Sequence, residues 1–202
     1  NSSVEGIEGS ITNSYLTGNV TNSSDGESLY GGGIIGYANL AKGTFTVSNC
    51  YVGGAFTQTG TKPESYGYIV GKATDEGEHT VVGLNYALNA PATDSHAVKL
   101  TEEDLHDGAL CYTLNLAAGE NRIFGQNLAE ENSFPVIYVD GQDVYRTIYI
   151  VDEADYAILF NNHRFIFPAE PVKEGYTFLG WFDAATGGNS VSAETETDSD
   201  MN

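Results

Sequence analysis

Short apolar runs separated by clusters of Gly, Asn and Ser fill the first half of the chain. Runs rich in Val, Ile, Thr, Tyr and Phe that end at such clusters are typical of β-strands, because branched and aromatic side chains pack well on a pleated surface. Residues 10–21 and 46–57 align at an offset of 36 and form an internal repeat. The matched pairs are Ile11 with Val47, Asn13 with Asn49, Tyr15 with Tyr51, Gly18 with Gly54, and Val20 with Phe56.

The repeat extends beyond these two runs. Residues 32–36 match residues 67–71 at an offset of 35, and a weaker third copy covers residues 82–88. One such unit cannot bury its apolar face alone, whereas stacked units can. Residues 1–98 are therefore predicted to form a β-solenoid-like stack.

A polar position recurs inside this stack. Asn13 and Asn49 hold the same place in the two clear copies, so their amides are expected to form a hydrogen-bonded ladder, while Leu84 occupies that place in the third copy. Two and a half copies are few for a stable array, so we expect the stack to continue before the first copy.

Residues 99–140 carry a helical pattern between two β regions. Thr101 is a good N-cap, and the three residues after it are acidic, which the helix dipole favours in the first turn. Gly108 is expected to divide the helix into two short pieces. Both sides are predicted to be buried, one through Leu105, Ala109, Tyr112 and Leu116, the other through Leu110, Cys111 and Leu114. With the short elements near Phe124 and Phe134, the helix is interpreted as a cap that closes the stack.

The last part of the chain, residues 141–202, returns to a strand-like pattern and ends in an acidic tail. Tyr176, Phe178 and Trp181 alternate as in a strand, and Trp181 is expected to fill a small core. Further strands are predicted at residues 145–151, 156–160 and 165–167. The chain is thus predicted to be mainly β, with three parts: the stack, the cap and a small β module.

Charge excludes several classes of partner. The chain has 28 acidic and 8 basic side chains among 202 residues, a net charge of −20. It would repel nucleic acid and anionic membranes, which are bound through clustered Lys and Arg. Its apolar runs fall short of the roughly 20 residues that span a bilayer, so no membrane insertion is expected. Because the acids are spread evenly, we interpret them as a solvated coat rather than a binding face.

Candidate catalytic chemistry is sparse. The repeat runs 11–21 and 47–58 contain no Asp, Glu, His, Lys or Arg, and no pair of carboxylates is marked out for glycoside hydrolysis. The four histidines, His79, His96, His106 and His163, lack the spacing of zinc ligands. The chain is therefore predicted not to be an enzyme, with no catalytic, cofactor-binding or metal-binding residue.

Two minor possibilities stay open. Residues 75–78 and 140–143 are acidic loops that have the oxygen ligands for calcium but not the spacing of an EF-hand, so plain acidic turns are favoured. Cys50 replaces Ser14 of the first copy and is interpreted as a small packed side chain, although a bridge between Cys50 and Cys111 is conceivable.

A family resemblance covers residues 6–90. The segment 32–37, Gly-Gly-Ile-Ile-Gly-Tyr, together with the strand at residues 11–20, resembles the GLUG motif of large bacterial surface proteins, which include adhesins and some secreted IgA peptidases. This resemblance implies an extracellular, modular, β-solenoid-like context and no catalytic residue. The order of short motifs in residues 100–137 resembles a stretch that often follows such repeats in gut-bacterial surface proteins.

A second resemblance lies near the C-terminus. Residues 171–182, Pro-Val-Lys-Glu-Gly-Tyr-Thr-Phe-Leu-Gly-Trp-Phe, resemble the end of the Listeria–Bacteroides surface repeat, also called the internalin B-repeat. It implies a small, ubiquitin-like (β-grasp-like) module at about residues 145–185. Asn161–His163 stands where that family usually has an Asn-Gly-Gly turn. The residues that match the family pattern are Pro171, Gly175, Tyr176, Phe178, Gly180, Trp181 and Phe182.

The expected function follows from these resemblances. The chain is predicted to be a non-catalytic, structural or adhesive module of a secreted or cell-wall-attached bacterial surface protein, monomeric within a longer chain. Its partner would be a host or matrix protein or a glycan. The alternative is an accessory region or carbohydrate-binding module of a large extracellular enzyme. In that case tyrosines would stack on sugar rings, although ordinary strand packing is the favoured interpretation of these side chains: Tyr30, Tyr37, Tyr66 and Tyr68.

Overall fold

A computed structural model describes residues 6–23, 25, 30–40, 42–60, 66–74, 78–119 and 122–201. The fold is mainly β, as the sequence predicts. The chain divides into two compact units, Asn1–Glu103 and Asp104–Asn202.

Short strands in three successive copies of the repeat build the first unit. Copy 1 contains β1 (Ile7–Thr12), β2 (Tyr15–Leu16), β3 (Val20–Asn22), β4 (Gly31–Gly32) and β5 (Ile35–Ala38). Copy 2 contains β6 (Gly43–Ser48), β7 (Tyr51–Val52), β8 (Phe56–Gln58), β9 (Tyr66–Gly67) and β10 (Val70–Ala73). Copy 3 contains β11 (Thr80–Val82) and β12 (Tyr86–Leu88), and β13 (Val98–Leu100) follows it.

Every strand pairing among the described residues of this unit is parallel, and all except β12-β13 join one copy to the next. The ladders run β1-β6-β11, β2-β7-β12-β13, β3-β8, β4-β9 and β5-β10. The repeat alignment made from the sequence is confirmed, because aligned residues are cross-strand neighbours. These neighbours are Ile11, Val47 and Val82; Tyr15, Tyr51 and Tyr86; Val20 and Phe56; Gly32 and Gly67; and Ile35 and Val70.

The predicted asparagine ladder is confirmed for copies 1 and 2. Asn49 Nδ2 donates to Asn13 Oδ1 at 2.6 Å, and both residues adopt the left-handed conformation that asparagine tolerates, with φ near 52° and 53°. In copy 3 Leu84 is exposed, and the next residue, Asn85, is buried instead. The apolar core lies between the copies and comprises Val47, Cys50, Val52, Ile69, Val70, Ala87 and Ala90.

The second unit combines short helices with antiparallel hairpins. In the sequence, α1 (Glu102–His106) crosses the boundary between the units, and the other elements are α2 (Ala109–Ala117), β14 (Phe124–Gly125), β15 (Val136–Ile137), β16 (Tyr145–Val151), β17 (Ala154–Asn161), β18 (Trp181–Phe182) and β19 (Ser190–Val191). The pairs are β14-β15, β16-β17 and β18-β19.

The helical prediction is confirmed in part. Gly108, with φ of 97°, separates α1 from α2 as expected. Leu110, Cys111 and Leu114 are buried. The predicted second buried side is wrong for Leu116, which is 64% exposed. Because Gly108 interrupts the helix, Leu105 of α1 is out of phase with α2.

The strand predictions near the C-terminus also hold in part. β16 has the predicted bounds, and β17 contains residues 156–160. The strand predicted at 165–167 is wrong, since the Ile166 carbonyl accepts a side-chain hydrogen bond from Tyr149 Oη instead of a ladder bond. The run 176–181 becomes a strand only at its end, because Gly180 adopts a φ of 123°.

Candidate binding surfaces

A cleft of about 650 Å³ runs along β16 in the second unit. Tyr149 lies in its wall, with its ring 4.7 Å from that of Trp181, and Phe178 lies 5.2 Å from Trp181 on another side. Trp181 therefore packs in an aromatic cluster, as the sequence predicts. Burial raises the pKa of Tyr149 to about 12, so its hydroxyl stays protonated and donates to Ile166 O at 2.7 Å.

Exposed apolar side chains are concentrated in residues 172–182 of this unit. Val172 is 99% exposed and Leu179 is 83% exposed, and both lie in the segment that leads to β18. Tyr176 and Phe182 of the same stretch are also exposed. Large apolar side chains that face water on one short segment make it a candidate contact surface. We call Val172, Tyr176, Leu179 and Phe182 the apolar segment surface.

A salt bridge attaches this segment to the tip of the β16-β17 hairpin. Lys173 Nζ lies 2.7 Å from Asp152 Oδ2 and 4.8 Å from the centre of the Tyr176 ring. Asp152 and Glu153 form the two-residue hairpin turn, both with positive φ. Because both charged groups are exposed, the pair contributes little to stability, about 0–1 kcal/mol. Asn161–His163, where the sequence points to a turn, ends β17 and bends away from it.

The four tyrosines singled out as sugar-stacking candidates lie in two groups. Tyr30 stacks on Tyr37 at 4.7 Å, and Tyr37 is 45% exposed. Tyr66 and Tyr68 instead pack against Phe56, at 5.0 Å and 5.5 Å. This second group fits the packing interpretation, whereas Tyr37 has ring area that a ligand can reach.

Lys72 adds a cation to the first tyrosine group. Its Nζ donates to Tyr30 Oη at 3.2 Å and lies 4.8 Å from the centre of that ring. The hydrogen bond to Tyr30 raises the pKa of Lys72. The exposed Tyr37 ring thus lies beside a partly buried tyrosine that carries an amine.

The second acidic loop holds an ion pair. Arg122 Nη1 lies 2.5 Å from Asp143 Oδ1 and 2.9 Å from Tyr145 Oη, and these contacts raise the pKa of Arg122. Tyr138 Oη also donates to Asp143 at 3.3 Å. Asp143 is therefore compensated by a protein cation, which favours the plain acidic turn over a calcium loop. Arg122 could not be predicted as its partner from the sequence, since the two are 21 residues apart.

The first acidic loop is only partly described. Residues 75–77 lie outside the described part of the chain, and Glu78 is exposed, 3.9 Å from His79. Among the described residues, no three of His, Cys, Asp and Glu lie together as metal ligands do. His79 and His106 each bond a backbone carbonyl through Nδ1, at 2.9 Å and 2.8 Å.

Both cysteines are free and buried. Burial raises the pKa of the Cys50 thiol and raises that of Cys111 to about 12. A thiol needs its deprotonated form to act as a nucleophile, so neither is activated at neutral pH. No helix in the described part of the chain has the length and apolar character to cross a membrane.

Part of the second unit matches a known protein family. Residues 154–202 match the family model of the Listeria-Bacteroides repeat domain, and no solved structure matches the chain. The matched segment contains β17, the apolar segment surface and Trp181. The resemblance to the Listeria–Bacteroides repeat is thereby confirmed for this segment. The matched family is a bacterial surface-associated repeat domain, of a kind typically found in extracellular or surface proteins.

Proposed function

We propose that this chain is a non-catalytic segment of a secreted or cell-wall-attached bacterial surface protein, with structural and adhesive roles. The observation that carries this proposal is the match of residues 154–202 to the Listeria-Bacteroides repeat domain. The first unit is proposed to be a β-solenoid of GLUG-type repeats that acts as a rigid spacer. The second ends in an internalin B-repeat-like, β-grasp-like module.

The parallel ladders of the first unit support the spacer role. Residues one repeat apart are hydrogen-bonded neighbours in five separate ladders, so each copy is held by the next along a single direction. An array in which each repeat contacts its neighbours gains stability by stacking and keeps a regular shape. Such a scaffold can hold a binding module away from the cell wall.

The distribution of charged groups supports the absence of catalysis. Asp143, a buried carboxylate, is already paired with Arg122, and both thiols have raised pKa values. An active site instead needs titratable groups whose environments leave them poised for proton transfer or attack.

The adhesive role is proposed to use the apolar segment surface. A partner protein can bury these exposed side chains, and burial stabilises a complex by about 25 cal/mol per Å² of apolar surface. Partners would be host or matrix proteins.

The test is binding of the purified chain to immobilised collagen, fibronectin and laminin. The double variant Val172→Asp, Leu179→Asp is expected to weaken binding at least tenfold. The matched control is Leu116→Asp, which makes the same chemical change at an exposed leucine of α2 and should leave binding unchanged. Trp181 fluorescence checks that each variant is folded. If no matrix protein is bound, or if the control weakens binding equally, the adhesive proposal fails.

A second function, glycan binding by a module of a larger extracellular enzyme, is favoured by the exposed Tyr37 ring beside Tyr30 and Lys72. A glycan array probed with the purified chain tests it. Tyr37→Ala should abolish any signal, whereas Tyr66→Ala, at a ring packed on Phe56, serves as the matched control. A signal that survives Tyr37→Ala places the glycan elsewhere.

A further inference from the structure

The two ends of the parallel stack in the first unit differ. On the side of copy 3, β13 pairs with β12 and covers it. On the side of copy 1, β1, β2 and β3 are the outer strands of their ladders among the described residues.

Burial follows this difference position by position. Val47, Tyr51 and Val52 of copy 2 are fully buried between neighbouring copies. Their counterparts in copy 1, Ile11, Tyr15 and Leu16, are only partly buried. The first copy thus presents to its open side residues of the same type that form the core one copy further on.

Two equivalent glycines show the same difference between a covered copy and the open side. A Cβ on Gly54 would lie 2.0 Å from Gly18 O of copy 1, so only glycine fits where the two copies touch. Gly18 holds the same place in copy 1, yet a Cβ there would meet only Leu16 Cδ1, at 3.9 Å, among the described residues. Gly18 does not adopt a positive φ, so its backbone conformation does not require glycine either. Nothing in the described residues explains glycine at position 18, whereas the approach of another copy would.

Hydrogen-bond polarity gives an independent indication. Asn49 donates its side-chain amide to Asn13, and Gly53 N donates to Leu16 O at 2.8 Å, so copy 2 supplies donors and copy 1 supplies acceptors at these places. If copy 1 repeats this geometry, Asn13 Nδ2 and the N–H of Thr17, an exposed residue, are the equivalent donors for the next copy on the open side.

We propose that the β1-β2-β3 edge of copy 1 is a docking surface for one further copy of the same repeat. That copy stacks in parallel, with an asparagine opposite Asn13 and a glycine opposite Gly18, and continues the interface already formed between copies 1 and 2. This occupant is favoured because it would repeat, residue for residue, the contacts that copy 2 makes with copy 1. A second molecule of this chain is the competing occupant, and the oligomeric state distinguishes the two.

The proposal goes beyond the scaffold function because it assigns a specific partner to one surface, and its test has no adhesion readout. The first measurement uses the chain as it is. Gly54→Ala is expected to lower the equilibrium constant for folding of the first unit at least tenfold, since the added methyl meets backbone. Gly18→Ala is expected to leave that constant unchanged or to raise it about two- to fivefold.

The second measurement uses a variant in which a copy of residues 6–41 is inserted before Gly6. In this extended chain Gly18→Ala is expected to lower the folding constant at least tenfold, as Gly54→Ala does in both chains. Hydrogen exchange at the Thr17 amide should slow at least tenfold relative to the original chain.

Three results would overturn the proposal. One is an equal effect of Gly18→Ala in the original and extended chains. Another is unchanged exchange at Thr17, or failure of the extended chain to fold, since the inserted copy has the sequence of a copy that folds. The third is dimerisation of the original chain through this edge, detected by light scattering and abolished by the insertion.

Discussion

Asn85 provides the sharpest test of how polar groups hold the stack together. It is 1% exposed and makes three hydrogen bonds to backbone: it accepts from Cys50 N at 3.0 Å and donates to Val47 O at 3.2 Å and to Gly83 O at 3.0 Å. Asn85→Ala would leave Cys50 N without its acceptor, whereas Val47 O keeps the hydrogen bond that it accepts from Gly83 N at 2.8 Å. Cys50 has no solvent exposure, so water cannot readily replace the lost amide.

The magnitude follows from the one backbone donor that loses its hydrogen-bond partner, Cys50 N. A buried donor or acceptor that loses its partner costs about 1–3 kcal/mol. Leaving out Val47 O, which keeps a second donor, and the partly buried Gly83 O, Asn85→Ala should lower the free energy of unfolding of the first unit by about 1–3 kcal/mol. Leu84→Ala is the matched control, because Leu84 is the adjacent residue and is exposed; it should cost less than about 0.5 kcal/mol.

The free energy of unfolding of the first unit is measured in urea, with hydrogen exchange of the amides of residues 43–100 as the readout. Trp181, the only tryptophan, reports on the second unit and should show an unchanged transition. A cost below about 1 kcal/mol for Asn85→Ala would refute the reasoning that the amide substitutes for a ladder bond. Equal costs for Asn85→Ala and Leu84→Ala would do the same.

Three further predictions concern the second unit and the thiols. Gly108→Ala should destabilise the second unit by more than about 1 kcal/mol in urea titrations, because the residue has positive φ and the new methyl would lie 2.7 Å from Phe160 Cβ. Because the pKa of Tyr149 is raised to about 12 on folding, the folded state holds that proton more tightly. Stability should therefore fall between about pH 10 and 12, and less steeply in Tyr149→Phe. Thiol titration at pH 8 should show Cys50 and Cys111 unreactive until urea is added, and reaction in native buffer would contradict their burial.

The register of the first unit could be predicted from the sequence because the repeat carries it. Tyr15, Tyr51 and Tyr86 occupy equivalent places in the three copies, and equivalent residues of stacked copies become neighbours. The asparagine ladder followed from the same logic. The prediction does not extend to copy 3, where Asn85 rather than Leu84 turns inward. Only the packing of that copy decides which of these two adjacent side chains is buried.

The second unit could be predicted less well because it has no repeat. Local alternation located β16 and β17, whose pairing is between adjacent segments. It failed at residues 165–167, where a side chain from β16 takes the backbone acceptor, and at Leu116, where the break at Gly108 sets the helix phase.

The candidate surfaces were the least predictable part. Val172 and Leu179 have the composition of core residues, and only the fold shows that they face water. Among the tyrosines, sequence gave no way to separate Tyr37 from Tyr66, because the difference lies in whether Phe56 covers the ring.

The repeated contacts between copies have a genetic consequence. Asn49 meets Asn13, and Gly54 meets Gly18, so copies 1 and 2 present to each other the same residue types. Recombination between the DNA segments that encode two copies would remove or add a whole period of 35–36 residues and rejoin matching faces. A shift of one residue within a strand would instead turn every inward side chain outward. The gene can therefore change the length of this scaffold in whole periods while each junction keeps its packing.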